Sequence, residues 1–254
     1  MGVLNEIYYS IETSIAKTIH GIKAYKRRET RIDFGPERNQ RAIIYEPEEV
    51  LHEEIVFYFH GGAYLIGTPE SMGIAADCFC AKGYRLVSVG FRHMPKYPFP
   101  KQIEDAFTGT ARAIEYLSAR DIDTQRLVMA GNSAGGHAAA MIAYDKDRCA
   151  AYGIDPQKIC GMISVAGAID ASAFNSKESR FISLSEGETM NDYSPIELLS
   201  ADTDVPILCL NGRYDTVIPH DVEHMLLLVI LVHFRLSGHK VYHEFLGVVV
   251  IQKR

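Results

Sequence analysis

The sequence predicts an α/β domain with a mainly parallel central sheet and helices on both faces. Three observations carry that reading. Short runs of β-branched and aromatic residues alternate along the chain with longer amphipathic stretches. One run, IVFYF at 55–59, is almost continuously apolar, as a strand buried on both faces requires. The length of 254 residues, with 47% hydrophobic and 23% charged, suits one large globular domain with a sizeable core.

Taken in order, Leu4, Ile7, Tyr8, Ile11, Ile15, Ile19 and Ile22 recur at helical spacing, so an N-terminal helix is expected within residues 1–28. The basic run 23–28 (KAYKRR) is read as its solvated end. Strands follow at 31–34, 42–45 and 55–59, and another at 86–89. Ile103, Ala106, Phe107, Thr110, Ala113, Ile114 and Leu117 form the apolar face of a helix. Gln102, Glu104, Asp105, Thr108, Arg112 and Glu115 fall on its polar side. A strand at 127–130 leads into a small-residue helix over 134–144, with further strands at 162–165 and 207–210. A helix from about 221 and a strand at 241–245 complete the pattern. The polar, weakly periodic stretch around 171–204 is long for a connection and reads as a cap-like insertion. The whole, 1–254, reads as a single domain.

Charge and cysteine usage narrow the partners. A formal net charge of −6 without a long Lys/Arg run argues against nucleic acid or an anionic membrane surface. Five cysteines, an odd number without CxxC spacing, fit free thiols in a reducing compartment. The first residues lack the apolar core of a signal peptide. The longest apolar run, 225–232, is far short of the roughly 20 residues that span a bilayer. A cytoplasmic protein without a membrane span is expected.

Three motifs carry chemistry. Gly131-Asn132-Ser133-Ala134-Gly135 is a G-x-S-x-G between a strand and a helix. A sharp turn there lifts the Ser133 hydroxyl above the sheet, and the helix start aims N–H groups at an arriving oxyanion. His60-Gly61-Gly62-Ala63-Tyr64 follows the strand IVFYF. Acyl transfer develops charge on the carbonyl oxygen, and the amides of Gly61, Gly62 and Ala134 are the candidate oxyanion donors. His60 reads as a structural residue holding that loop. Third, Asp215 follows the strand 207–210, where the acid of a Ser–Asp–His triad belongs in chain order.

These motifs, with YPFP at 97–100 followed by Glu104-Asp105-Ala106, resemble the α/β-hydrolase fold. More narrowly, the chain is similar to the hormone-sensitive-lipase-like and small carboxylesterase families. The segment FRHMPKYPFPKQIEDAF is similar to the family's turn between the fourth strand and its helix. HGGAY resembles the oxyanion loop, GNSAGG the nucleophile elbow and GRYDTVIP the acid turn. The likeness spans about three quarters of the chain. It implies a serine hydrolase acting on short- to medium-chain carboxylic esters through an acyl-enzyme, with no cofactor and a small-molecule ester as partner. Arylformamidases share the framework, so formamide hydrolysis is implied too. The oligomeric state is open.

The resemblance breaks at the catalytic histidine, which the family places in a turn after its last strand. Here Val250 stands at that position, and no histidine follows His243. Without a base the serine stays protonated, so the alternative is a catalytically impaired, ligand-binding protein on the hydrolase frame. If that alignment holds, a histidine returned to position 250 should raise turnover. His239 and His243 are the other candidates for the base. His220, Glu223 and His224 match an H-x-x-E-H pattern but read as a solvated helix start, so no metal is expected. His137 reads as a packed residue, and Tyr64 as either a pocket or a packing residue.

Overall fold

The computed structural model describes residues 24–170, 182–199, 203, 205–210, 240–244 and 248–252. In chain order these form β1 (Arg27–Asp33), β2 (Arg41–Pro47), β3 (Ile55–Phe59), α1 (Gly73–Cys80), β4 (Arg85–Val89), α2 (Lys101–Ser118) and β5 (Leu127–Asn132). There follow α3 (Ala134–Tyr144), α4 (Lys146–Ala151), β6 (Ile159–Val165), β7 (Ile207–Leu210), β8 (Lys240–Glu244) and β9 (Val248–Gln252). One sheet takes them in the order β1-β2-β4-β3-β5-β6-β7-β9-β8. The central five, β4 to β7, are mutually parallel. Two antiparallel strands flank them on each margin.

Side-chain alternation explains why β3 is apolar throughout. Ile55, Phe57 and Phe59 join the larger core, beneath Ile103, Phe107 and Ala113 of α2 and the alanines of α3. Val56 points to the opposite face with Leu86 and Ala130, where Ala76 and Cys80 of α1 cover it. Both faces are therefore dry. All eleven residues of α3 are buried, which its small side chains allow because they let the helix lie close to the sheet.

Two expectations are corrected here. The helix placed over 1–28 does not extend to its predicted end: residues 24–26 are irregular and Arg27 opens β1, while residues 1–23 lie outside the described residues. The basic run is not a solvated helix end. Arg28 Nε donates to Glu46 at 2.9 Å across the β1–β2 ladder, and Arg27 reaches Asp77 at 3.3 Å while covering the Tyr45 ring. Second, Gln102 and Asp105 on α2 are buried, not solvated. Asp105 accepts hydrogen bonds from Arg92 Nε (2.8 Å), Arg92 Nη2 (2.7 Å), the Arg92 backbone N–H (2.8 Å) and Gln40 Nε2 (2.9 Å). That carboxylate pins the turn after β4 to α2. It is the physical content of the acidic pair following YPFP.

The 182–199 part of the proposed cap contains two short 3₁₀ turns, Met190–Tyr193 and Pro195–Leu198. It packs on the domain through Tyr193, whose ring meets Phe99 edge-on at 5.2 Å. Residues 171–181 of that insertion lie outside the described residues. No described helix is long and apolar enough to cross a membrane.

Candidate active site

Ser133 sits between the end of β5 and the start of α3, with φ 53° and ψ −122°. A non-glycine residue tolerates that conformation only when its surroundings fix it. Its N–H donates to Val165 O (2.9 Å), and its carbonyl accepts from His137 N–H (3.1 Å). The flanking glycines are required by close approach rather than by φ. A Cβ on Gly131 would lie 2.2 Å from Gly135 O, and one on Gly135 would lie 2.1 Å from Phe59 O. Such contacts would force strand and helix apart. Ser133 is half-buried, whereas Ala134, the first residue of α3, is 6% exposed. The amides of a helix's first turn have no intrahelical acceptor, so the Ala134 N–H, next to the serine in the chain, is left unpaired by the helix.

The glycine loop after β3 closes directly against this elbow. A Cβ added to Gly61 would lie 3.3 Å from Ser133 Cβ. Gly62 (φ 114°), Ala63 (φ 52°) and Tyr64 (φ 59°) form a left-handed run. Gly62 O closes it by accepting from the N–H groups of Leu65 (2.9 Å) and Ile66 (3.1 Å). Among the described residues the Gly62 N–H has no hydrogen-bond acceptor. The Gly61 N–H does have one: it donates to Asn132 Oδ1 at 3.2 Å. The expectation that Gly61 and Gly62 act alike is thus modified. Gly61 is tied down and Gly62 is left open. Asn132, which the motif treats as a variable position, is the residue that sequence reasoning missed. A polar side chain between the strand end and the serine was the available signal.

His60 and His137 are both held away from base chemistry. His60 is 1% exposed, and its Nδ1–H donates to Gly61 O at 2.8 Å. It stacks on Phe91 with ring centroids 4.2 Å apart. Burial pushes its pKa down to about 3. His137 is fully buried, and Tyr193 O lies 2.7 Å from its Nε2. A carbonyl only accepts, so Nε2 carries the proton and Nδ1 accepts from the Tyr64 hydroxyl at 2.6 Å. Burial lowers the His137 pKa to about 4. Tyr64 itself is 0% exposed, so the packing reading holds over the pocket reading.

The C-terminal strands overturn part of the sequence alignment. VYHEF is not the last strand, because β9 follows it and inserts between β7 and β8. Val250 lies inside β9, opposite Leu208 of β7 and Tyr242 of β8, not in a turn beyond the sheet. His243 lies on β8 opposite Val249. Four strand spacings, roughly 19 Å, separate β8 from β5 in the sheet order. Among the described residues no group is hydrogen-bonded to the Ser133 hydroxyl, and none forms a cluster of three or more side chains able to hold a metal ion. Asp215, His220, Glu223, His224 and His239 lie outside the described residues.

Known proteins resemble this chain in sequence and in fold. Esterase LipI of Mycobacterium tuberculosis is 36% identical over 96 residues, covering 35% of this chain and 28% of its own. The ethyl acetate hydrolase of Pseudomonas putida is 32% identical over 108 residues, covering 39% and 33% respectively. The chain thus aligns with a third or less of the length of these curated relatives. Among solved structures, esterase B of Lactobacillus rhamnosis superimposes with a TM-score of 0.71 at 16% identity, covering 91% of this chain and 80% of that one. Esterase 2 of Thermogutta terrifontis gives 0.65 at 16% identity, covering 81% and 79%. These neighbours establish the α/β-hydrolase fold. With residues 43–228 matching the BD-FAE family, well over half of its length, the chain belongs to that family.

Proposed function

We propose that this chain is a serine hydrolase of short- to medium-chain carboxylic esters, with Ser133 as nucleophile. The observation that carries the reading is the strained elbow at Ser133 lying against a glycine loop with an uncommitted amide at Gly62. The Ser133 oxygen attacks the ester carbonyl carbon, and the carbonyl electron pair moves onto oxygen. The N–H groups of Gly62 and Ala134 receive that oxyanion, while Gly61, bonded to Asn132, holds the loop in place. Asp215 orients an imidazole that takes the hydroxyl proton and returns it to the departing alcohol. Water then releases the acid from the acyl-enzyme. The relatives' esterase and hydrolase names support the reaction class. So do the related structures of esterase B inhibited by a tributyrin phosphonate and of esterase 2 phosphorylated by paraoxon.

The test is p-nitrophenyl acetate turnover by the protein and by Ser133→Ala. Turnover lost in the variant supports the proposal, and equal rates in both remove Ser133 from the chemistry. A second reading, ligand binding on the same frame without turnover, is favoured by Val250 being paired within β9. Stoichiometric labelling of Ser133 by an organophosphonate, with no measurable ester turnover, is its signature.

A further inference from the structure

We propose that His137 is a positioning residue that joins the nucleophile turn, the oxyanion loop and the 190–198 segment through one directional chain of hydrogen bonds. The inference rests on the ester-hydrolase reading of Ser133 for its catalytic consequence, but not for its physical content. His137 lies one helical turn beyond Ser133, and its backbone N–H donates to the Ser133 carbonyl. Its side chain reaches two other segments. The Tyr64 hydroxyl donates to Nδ1 at 2.6 Å, and Nε2–H donates to Tyr193 O at 2.7 Å. One residue therefore references the nucleophile, the end of the left-handed run 62–64, and the Met190–Tyr193 turn to one another.

Packing alone does not account for a histidine here. The rest of α3 is alanine, glycine, methionine, isoleucine and a final tyrosine, and every one of its positions is buried. An apolar side chain would fill the same space without needing partners for two ring nitrogens. Both nitrogens instead have partners, and the accepting Tyr193 carbonyl fixes the tautomer that lets Tyr64 donate. The loop needs an outside anchor. Three successive residues at positive φ, two of them not glycine, persist only when neighbours over-determine them. Tyr64 provides that at the end of the run. Its carbonyl accepts from Met94 N–H at 2.9 Å, and its hydroxyl is held by His137. Tyr193 is equally fixed on the far side, through Glu188 at 2.7 Å and the Arg148 guanidinium 4.5 Å above its ring. Movement of the 190–198 segment would thus be transmitted to the loop that presents the Gly62 amide.

Tyr64→Phe removes one oxygen and keeps the ring contacts with Phe91 and Phe99. Backbone hydrogen exchange, read peptide by peptide, should quicken at least about tenfold across 61–66 and stay unchanged across 190–196. His137→Phe should quicken both. With p-nitrophenyl acetate, Tyr64→Phe should lower kcat by roughly 10- to 100-fold with KM within about twofold, because the loop is misplaced rather than the substrate site lost. Unchanged exchange across 61–66 in Tyr64→Phe overturns the proposal. So does a uniform rise in exchange with unaltered kcat, which is what a purely structural bond would give. If the parent protein shows no Ser133-dependent turnover, the hydrolase reading fails while the exchange pattern still decides the tether. If His137→Phe does not fold, the exchange and kcat of Tyr64→Phe decide between tether and plain packing.

Discussion

Returning a histidine to position 250 separates a base missing from its expected place from a base that this sheet cannot accommodate there. Val250 pairs with Leu208, Leu208 with Ile163, and Ile163 with Ala130. Three strand spacings of about 4.8 Å put residue 250 roughly 14 Å to the side of β5. Ser133 lies three residues beyond Ala130, about 10 Å further along the strand direction. The diagonal is about 17 Å. An imidazole side chain, a serine side chain and one hydrogen bond together span only about 10 Å. Val250→His should therefore leave p-nitrophenyl acetate turnover within about threefold of the parent. A base within reach would add roughly 10²- to 10⁴-fold. The assay is initial rates on the single variant and on Val250→His combined with Ser133→Ala. A gain of 100-fold or more that disappears with Ser133→Ala would refute the strand order argued here and restore the simpler alignment.

Two further outcomes follow from buried polar groups. Asp105→Ala removes the nearer of the two carboxylates that face Arg92, leaving Glu104 at 3.7 Å, and takes the acceptor from Gln40 and the Arg92 N–H, so unfolding should become easier by about 3 kcal/mol. Urea titration measures this, and a loss under about 1 kcal/mol would contradict the pinning role given to that carboxylate. Stability should also fall with acidification. Burial depresses His60 to about 3, and His93 and His137 to about 4, so below pH 6.5 the unfolded chain binds protons that the native state refuses. The contribution is full above pH 6.5 and is lost progressively down to about pH 4 and below. A urea midpoint that stays flat from pH 7 to 5, where most carboxylates remain ionised, would show that these rings titrate freely.

The parts of the fold that sequence revealed are those fixed by local pattern. IVFYF matches β3, the helix over 134–144 matches α3 end to end, and the apolar face of α2 was readable from its spacing. The failures share a cause, which is pairing between residues distant in the chain. Asp105 looks solvated to any periodicity argument, because Arg92 and Gln40 complete it from other segments. Arg27 and Arg28 resemble a helix end until Glu46 and Asp77 are seen opposite them. VVVIQ reads as a tail because nothing local says that it inserts between β7 and β8. At the site, the glycines at 61 and 62 look equivalent in sequence. The Asn132 side chain, 71 residues further on than Gly61, separates their roles.

The same contrast divides the chemistry. The elements that would hold an oxyanion are all central: the loop after β3, the turn after β5 and the start of α3 lie side by side over strands buried on both faces. A tight strand–helix approach at Gly131 and Gly135, and the tethers at Asn132 and His137, fix them independently of anything beyond β7. In the proposed mechanism the acid, Asp215, follows β7 in the chain, and beyond β7 the sheet runs β9 and then β8. On that proposal, polarising a carbonyl and relaying a proton draw on separate parts of the sheet, and a change at one margin would remove the second capacity while leaving the first. Phosphonate labelling of Ser133 reads mainly the first, and sustained ester turnover requires both. The ratio of those two measurements is thus a physical measure of how much proton relay accompanies the oxyanion site.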